Sequence, residues 1–464
     1  MIYSRRTLRE ITIHDTLSGT VREITPREPG KIGMYVCGPT VYGPVHVGNA
    51  RPFVVFSLFK RFLEHEGYDV TFVANITDVN DKIYAAAHAE GIGSAQLARE
   101  MGARYIADTN RLGLGRPDHE PLASATIDAI VSLIADLVEK DHAYAVDGDV
   151  YFSVRKYPGY GELSHRKIDD MDQGEGVEGA GRKRDPLDFA LWKGEKEGED
   201  TSWESPWGPG RPGWHIECSA MAEELLGLEF EIHGGGSDLI FPHHENEEAQ
   251  THAARGVPLA QLWMHNGMIR LDQQKMAKSV GNIFLLGSAL DAYGRDALIM
   301  YFVGGHYRQP VEFDDERLRE ASRFVDRIRE TARGLDAGAP SPAWSASSKE
   351  RFFDALAHDF NTPRALATVA EWVTAANREL AAGGGPVGGA DLREMLDTFG
   401  LANLLEPDDQ QAPPEVVELL ERREQARAER DFAESDRLRE EIRAAGWEVR
   451  DGPQGPGLVP LRPA

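Results

Sequence analysis

Two short apolar segments, residues 31–37 and 70–76, enclose a helical hydrophobic pattern over residues 51–62, and this succession constrains the fold most. The first segment ends in Gly38 and Pro39, which break a regular strand. A strand, a loop, a helix and a second strand in this order form a βαβ unit with parallel strands. Ligands of such sheets bind at the carboxyl ends of the strands, so we predict an α/β fold with a ligand site near Gly38.

The rest of the chain predicts further units, because 464 residues exceed the roughly 250–300 at which a single hydrophobic core stops growing. A helical pattern from about residue 120 and a strand-like segment at 148–154 indicate an insertion. A second α/β stretch begins with a predicted strand at 228–232. We predict a turn at 234–236 and a helix that Pro242 opens, since proline suits the first helical position.

Two charge-rich regions predict a loop and a group of helices. The segment 169–181 is rich in Gly, Glu and Asp, which predicts a mobile loop. Beyond about residue 313, helical segments are predicted at 316–335, 349–356 and 363–381, and residues 407–414 separate a last module.

Composition limits the classes of partner. Asp and Glu total 76 against 51 Lys and Arg, and the net charge of -25 disfavours non-specific attraction to nucleic acid or anionic lipid while allowing a local basic face. No apolar run approaches the roughly 20 residues of a membrane span, and the N-terminus lacks the apolar stretch of a secretory signal, so we expect a cytoplasmic protein without a membrane partner.

A loop at residues 44–49 enters the helix of the βαβ unit. The amides of a helix N-terminus favour phosphate, Gly48 permits close approach of the main chain, and His46 and Asn49 can donate hydrogen bonds. A glycine-containing helix start with an exposed histidine is the alternative that this loop alone leaves open.

A second polar loop carries Lys275 and Lys278 before Ser279. Two lysines on a mobile loop can clamp a triphosphate and neutralise the charge that develops in displacement at its α-phosphate. Two lysines on a solvated surface are the alternative.

The only two cysteines, Cys37 and Cys218, are too few for a disulfide framework, so each is a free thiol, a metal ligand or a nucleophile. His243 and Glu247 are four positions apart and would share one helix face. If both halves of the chain form one sheet, all four side chains can meet at its strand ends, where thiolates and imidazole favour zinc. A buried small side chain is the alternative for either cysteine. A metalloprotease motif is excluded, because position 248 is glutamate.

These signals occur together in one order, and that order resembles the cysteinyl-tRNA synthetases, class I aminoacyl-tRNA synthetases. The resemblance is carried by residues 35–42, 46–51, 213–219, 233–247 and 275–279 and extends through 359–363 to the C-terminal module.

The resemblance implies the fold class: a Rossmann-type parallel-sheet catalytic domain split by an insertion, followed by a helical bundle and a small C-terminal anticodon-binding module. The expected units are the first catalytic half (1–120), a connective insertion (121–205), the second catalytic half (206–265), a stem-contact region with the lysine loop (266–315), the bundle (316–405) and the anticodon-binding module (406–464).

It also implies the roles of individual residues. The catalytic residues would be His46, Asn49, Lys275 and Lys278. The ATP-binding residues would be His46, Gly48, Asn49, Asp238 and Lys278. The substrate-binding residues would be Cys37, Gly38, Thr40, Thr77 and Trp214, and one zinc ion per chain would be held by Cys37, Cys218, His243 and Glu247.

The expected reaction activates L-cysteine with ATP and Mg²⁺, releases pyrophosphate and transfers cysteine to the 3′-terminal adenosine of tRNA(Cys), in a monomer. Zinc selects cysteine over serine, because a thiol that loses its proton becomes a metal ligand and a hydroxyl does not. Glu247 is the ligand expected to yield to the substrate.

The chain departs from the family pattern at two points. Ala277 replaces a serine of the lysine loop, with little loss of function expected, and Leu458 lies where the family often has tryptophan. Arg423, Arg427 and Arg430 recur at helical spacing, and the resemblance favours tRNA contact over a salt-bridged surface. The rival hypotheses are a cysteine ligase of the mycothiol pathway and a catalytically silent tRNA-binding paralogue.

Overall fold

A computed structural model describes residues 9–171, 181–271, 274–275, 284–383, 385–406, 412–452 and 455–460. The described helices are α1 (Val47–His65), α2 (Asp81–Glu90), α3 (Ser94–Asn110), α4 (Ile127–Glu139), α5 (Trp214–Leu226), α6 (Glu245–Arg255), α7 (Leu286–Val303), α8 (Asp315–Arg333), α9 (Ser345–Ala357), α10 (Thr362–Ala382), α11 (Ala390–Thr398), α12 (Pro414–Ala428) and α13 (Phe432–Ala444). The described strands are β1 (Thr12–Asp15), β2 (Thr20–Glu23), β3 (Lys31–Val36), β4 (Asp69–Ala74), β5 (Ala143–Val146), β6 (Asp149–Phe152), β7 (Phe189–Gly194), β8 (Gly210–Pro212), β9 (Phe230–Gly236), β10 (Ala260–Asn266), β11 (Ile269–Leu271), β12 (Gln274–Lys275), β13 (Val311–Glu312), β14 (Trp447–Gly452) and β15 (Gly455–Pro460).

The central sheet has the strand order β10-β9-β3-β4, and all of its pairs are parallel. Strand β3 comes from the first α/β stretch of the sequence and β9 from the second, with Tyr35 opposite His233. The two halves therefore form one sheet, as predicted, and the carboxyl ends of β3 and β9 lie side by side. This adjacency brings distant parts of the sequence to one site.

The glycines at 234–236 form the end of strand β9, and the predicted turn there was wrong. They pair with residues 264–266 of β10. A Cβ atom on Gly234 would lie only 2.3 Å from Cζ of Phe56, so helix α1 packs too closely for any side chain at this position. The glycines therefore permit close packing of a helix on the sheet rather than a reversal of the chain.

The helix expected to begin at Pro242 begins instead at Glu245. Residues 240–244 form a wider π-type turn, interrupted by the extended backbone of Phe241 and containing a cis peptide bond before Pro242. His243 therefore lies in this turn and not in helix α6, which begins two residues later and carries Glu247. Both side chains nevertheless point inward and are buried.

The inserted segment folds as predicted around a helix and strands. Helix α4 packs against α5 and α6, beside the antiparallel sheet β5-β6-β7-β8. Of the segment expected to be a mobile loop, residues 172–180 lie outside the described residues.

Helices α8, α9 and α10 confirm the helical segments predicted beyond residue 313. Helix α1 meets this bundle through His65, whose ring stacks on Phe353 with centroids 3.8 Å apart. Its Nδ1 lies 2.9 Å from Glu66 Oε1 and its Nε2 lies 2.8 Å from Glu394 Oε1. Burial opposes the charged ring, but the two carboxylates outweigh burial and raise the pKa of His65.

This raised pKa predicts a pH-dependent contribution to stability. The pKa of His65 is higher in the folded protein than in the unfolded chain, so the charged ring stabilises the fold. This stabilisation is complete below the unfolded-state pKa and is lost as the pH rises through the folded-state pKa. We expect His65→Gln to lower the free energy of unfolding by about 1 kcal/mol more at about pH 5.5 than at about pH 8.5. Urea unfolding at both pH values measures this difference. His88→Gln, at an exposed position of α2, is the control, and an equal loss at both pH values for His65→Gln would contradict the prediction.

The C-terminal module consists of α12, α13 and the hairpin β14-β15. Leu458 pairs with Val449 across the hairpin and packs into the small core of the module. The prediction that Arg423 shares a basic helix face with Arg427 and Arg430 was wrong, because Arg423 is buried and paired with Glu424. Arg430 lies beyond the end of α12, with a φ of 62°, so it does not continue the helix face of Arg427.

Among the described residues, none of the helices has the length and apolar character needed to cross a membrane.

Candidate active site

The structure brings together the four side chains that the sequence suggested as metal ligands. Cys37 follows strand β3, Cys218 lies on α5, His243 lies in the wide turn and Glu247 lies on α6. One ligand atom from each lies within 4.8 Å of the others, and all four residues are buried. One cysteine thus comes from the end of a central strand and the other from helix α5, which precedes strand β9.

Glu247 is the centre of this cluster. Its Oε1 lies 3.0 Å from His243 Nε2 and 3.3 Å from Cys37 Sγ. Its Oε2 lies 2.8 Å from His233 Nε2. Trp214 closes one side, stacked on the His243 ring with centroids 4.1 Å apart. Glu247 is therefore held by several partners although it is fully buried.

The charges in the cluster depend on one another. Burial disfavours the charged ring of His243, but Glu247 and Cys218 outweigh burial and raise the pKa of His243 to about 10. Burial alone would raise the pKa of Cys218, but hydrogen bonds with Cys37 and His243 lower it to about 7. Burial and the neighbouring acidic groups raise the pKa of Cys37. Two thiols and the Glu247 carboxylate, which can each carry a negative charge, thus lie around one point, and a cation at that point would be stabilised.

The donor set fits zinc. Two thiols, an imidazole and a carboxylate are borderline-soft ligands of the kind that zinc prefers. Tetrahedral zinc separates its ligand atoms by about 3.3–3.8 Å, given metal–ligand distances of about 2.0–2.3 Å. The contacts of 3.0 and 3.3 Å around Glu247 lie near this range. Binding of a metal ion would displace the proton of His243, since a ligating histidine is neutral.

The structure adds histidines that sequence reasoning did not single out. Cys37, His233, His244 and Glu247 form a second group with ligand atoms within 4.8 Å of one another. His244 Nδ1 lies 2.7 Å from His265 Nε2, while its buried Nε2 has no hydrogen-bond partner among the described residues. His233 lies within β9 and His265 near the end of the neighbouring strand β10.

A cavity of about 560 Å³ extends from the cluster to the N-terminus of α1. It joins the predicted metal site to the predicted phosphate site. The residues from the predicted sets that line it are Cys37, Gly38, Thr40, His46, Gly48, Asn49, Trp214 and Asp238. Thr77, from the same sets, is buried, and its hydroxyl accepts a hydrogen bond of 3.2 Å from Asn75 Nδ2.

His46 and Asn49 cap helix α1 reciprocally. His46 Nδ1 accepts a hydrogen bond of 3.3 Å from the Asn49 main-chain N–H, and Asn49 Oδ1 accepts one of 3.4 Å from the His46 N–H. Because Nδ1 is an acceptor, the proton of the neutral His46 ring lies on Nε2, which is then the donor of the ring. This arrangement suits a ligand with phosphate oxygens at a helix N-terminus.

The lysine loop leaves from β12, which contains Lys275, while Lys278 lies outside the described residues. The chain returns at Phe284 and Leu285, directly beside the start of α1. There, Val47 N–H donates to Phe284 O at 2.9 Å, and Leu285 forms a β-bridge with His46. The returning end of the lysine loop is thus fixed to the N-terminal end of α1, where phosphate binding was predicted.

Known proteins resemble the chain over nearly all of its length. The family model described as tRNA synthetases class I (C) catalytic domain matches residues 23–323. A DALR domain matches residues 351–404, and a cysteinyl-tRNA ligase anticodon binding domain matches residues 409–455. The cysteine–tRNA ligase of Pseudothermotoga lettingae is 45% identical over 452 residues, which cover 95% of this chain and 97% of that protein. The cysteine–tRNA ligase of Geobacter metallireducens is 42% identical over an alignment of 480 residues, which covers 96% of this chain and 98% of that protein.

Solved structures show the same fold at low sequence identity. Mycobacterium tuberculosis methionyl-tRNA synthetase in complex with methionyl-adenylate has a TM-score of 0.59 and 16% identity, covering 81% of this chain and 89% of that chain. A LeuRS-tRNA-LeuAMS complex from Agrobacterium radiobacter has a TM-score of 0.60 and 12% identity, covering 82% of this chain and 85% of that chain. The matching catalytic-domain model and this shared fold show that the chain is a class I aminoacyl-tRNA ligase. Within that class, the chain belongs to the cysteine–tRNA ligase family.

Proposed function

We propose that this protein activates L-cysteine with ATP to form cysteinyl-adenylate and then transfers cysteine to the 3′-terminal adenosine of tRNA(Cys). The observation that carries the proposal is the continuity of one cavity from Cys37 to His46. A substrate whose side chain lies at the thiol cluster would have its carboxylate directed along the cavity towards a nucleotide at the start of α1.

We propose that Cys37, Cys218, His243 and Glu247 hold one zinc ion that selects cysteine over serine. When held by these residues, zinc would supply affinity for a thiolate that a serine hydroxyl does not offer at neutral pH. The protein would supply a preformed recess, since the four residues are buried, and Trp214 would form its wall. A hydrophobic pocket alone would separate such similar substrates only about a hundredfold.

The chemical step requires mainly positioning and stabilisation of charge. One carboxylate oxygen of cysteine forms a bond to the α-phosphorus of ATP, and the bond from that phosphorus to the oxygen bridging to the β-phosphate breaks, releasing pyrophosphate. His46 Nε2–H and the amides at the start of α1 would donate to phosphate oxygens, with Asn49 fixing the ring. Lys275 and Lys278 would neutralise the triphosphate, which carries Mg²⁺ as ATP does in solution.

The remaining roles are proposals of the same kind. Asp238, beside Gly236 at the cavity, would hold the ATP ribose or the substrate amino group, and Gly38, Thr40 and Thr77 would form the substrate site. The C-terminal module would contact the anticodon region of tRNA, which the matching family model supports. The domain boundaries, the monomeric state and the cytoplasmic location stay predictions.

ATP–pyrophosphate exchange with the purified, zinc-loaded protein tests the proposal. We expect exchange that depends on cysteine and that serine does not support. The absence of cysteine-dependent exchange would reject the proposed activation step. Addition of tRNA(Cys) then tests the acceptor, because an adenylate that forms but is never transferred would favour the cysteine ligase of the mycothiol pathway.

A further inference from the structure

Arg51 lies on α1, one turn after the phosphate-binding residues, and is only 1% exposed. Its guanidinium makes five hydrogen bonds, and all five go to main-chain oxygens. Nη1 donates to Gly267 O at 2.6 Å and Met268 O at 3.2 Å. Nη2 donates to three oxygens of a second loop: His306 O at 3.2 Å, Tyr307 O at 3.2 Å and Gln309 O at 2.8 Å. One buried cation thus joins two separate loops to α1.

These two loops lead into the strands that carry the lysine loop. Residues 267 and 268 precede β11, and residues 306–309 precede β13. Strand β11 pairs with β13 on one side and with β12 on the other. The loops also contact each other directly, because Gly267 N–H donates to Tyr307 O at 2.7 Å and a Cβ on Gly267 would lie 2.4 Å from the carbonyl carbon of Gln309.

The segments at both ends of the lysine loop are therefore attached to α1. The returning end is attached by the β-bridge between His46 and Leu285. The departing end, at β12, is joined to α1 through β11, which packs against α1 and follows the carbonyl oxygens that Arg51 binds. A guanidinium suits this role because its planar fork of donors reaches several acceptors at once, whereas the ammonium of lysine is a compact point charge.

We propose that Arg51 is a positioning residue that sets the position of strands β11 and β12, from which the lysine loop leaves, relative to the start of α1 where the phosphates are proposed to bind. The inference rests on the proposed function, since it assigns both elements to ATP. Arg51 itself is buried and is not one of the described residues that line the cavity. It acts on ATP through the geometry of the β11–β13 strands and leaves the cysteine recess at the ends of β3 and β9 unchanged.

The test compares Arg51→Met and Arg51→Lys with the wild type in ATP–pyrophosphate exchange. We expect kcat/KM for ATP to fall about a hundredfold in Arg51→Met, the size of effect that small misplacements of reacting groups produce. Arg51→Lys should show a smaller loss, while KM for cysteine and zinc content stay at wild-type values. If Arg51 only stabilised the fold, its replacement would not lower kcat/KM for ATP while leaving KM for cysteine unchanged.

Arg295→Met is the matched control. Arg295 also donates to main-chain oxygens of two segments, Leu112 O at 2.8 Å and Gly400 O at 2.7 Å, but these lie in other parts of the fold. We expect this variant to lose thermal stability and to keep the wild-type kcat/KM for ATP. An equal loss for ATP in both Arg51→Met and Arg295→Met would overturn the inference.

Calorimetric binding of a non-hydrolysable ATP analogue separates this inference from the proposed function. A wild-type protein that binds the analogue but shows no cysteine-dependent exchange rejects the proposed function, and a weaker affinity in Arg51→Lys would still support the positioning role. If Arg51→Met does not fold, Arg51→Lys decides. A folded Arg51→Lys with wild-type analogue affinity and wild-type kcat/KM for ATP would overturn the inference.

Discussion

Replacing Cys218 by alanine is expected to lower kcat/KM for cysteine in ATP–pyrophosphate exchange by about a hundred- to thousandfold, the size of loss that follows removal of a group stabilising the reacting centre. Cys218 is 1% exposed, and its thiol belongs to the group of four ligand atoms that lie within 4.8 Å of one another. Its removal leaves three potential zinc ligands from that group. We expect the zinc content of the purified variant, measured by elemental analysis, to fall with the activity.

Cys218→Ser is the matched control for packing, because serine fills nearly the same volume and retains a polar atom. If the loss arises from metal binding, both variants lose zinc and activity, although only alanine creates a cavity. A Cys218→Ser variant with full zinc content and wild-type kcat/KM for cysteine would contradict the assigned ligand set.

The second group of ligand atoms makes a different prediction for the same experiment. Cys37, His233, His244 and Glu247 would still be complete in Cys218→Ala, so a metal ion held by that group would remain. In that case His244→Ala would remove the metal and Cys218→Ala would not. The pair of variants therefore distinguishes the two ligand sets by metal content alone, independently of catalysis.

The chemistry of the site could be predicted from the sequence because it depends on rare residue types. Cys37 and Cys218 are the only cysteines of the chain, and each adjoins a segment with a readable strand or helix pattern. A parallel sheet brings the carboxyl ends of its strands to one edge, so the topology alone was enough to predict that distant residues would meet there.

The local backbone of the second half could not be predicted in the same way, because packing between distant elements decides it. Gly234 reads as a turn residue, but its place in β9 depends on Phe56 of α1, 178 positions earlier in the sequence. Pro242 reads as a helix start, but the wide turn at 240–244 delays the helix. Local propensity is a weak guide where tertiary contacts of this kind oppose it.

Replacing Gly38 by alanine is expected to be among the most damaging single changes at the sheet edge. A Cβ at this position would lie 1.7 Å from Asn75 O and 2.9 Å from Asn75 C, and both are main-chain atoms that cannot rotate away. Gly38 N–H also donates to Asn75 Oδ1 at 2.8 Å, so the ends of β3 and β4 would be forced apart where they are hydrogen-bonded. We expect a loss of about 3 kcal/mol or more in the free energy of unfolding, measured in urea.

The same change should reduce cysteine activation, because Gly38 adjoins Cys37 and lines the cavity. A displacement of about 1 Å there costs about a hundredfold in kcat/KM for cysteine. Gly102→Ala is the matched control: it lies inside α3, a Cβ there meets no atom within 4 Å, and alanine favours the helix by about 0.5–1 kcal/mol. A Gly38→Ala protein as stable and as active as Gly102→Ala would show that Asn75 can move away without disturbing the site, contrary to the packing described for this edge.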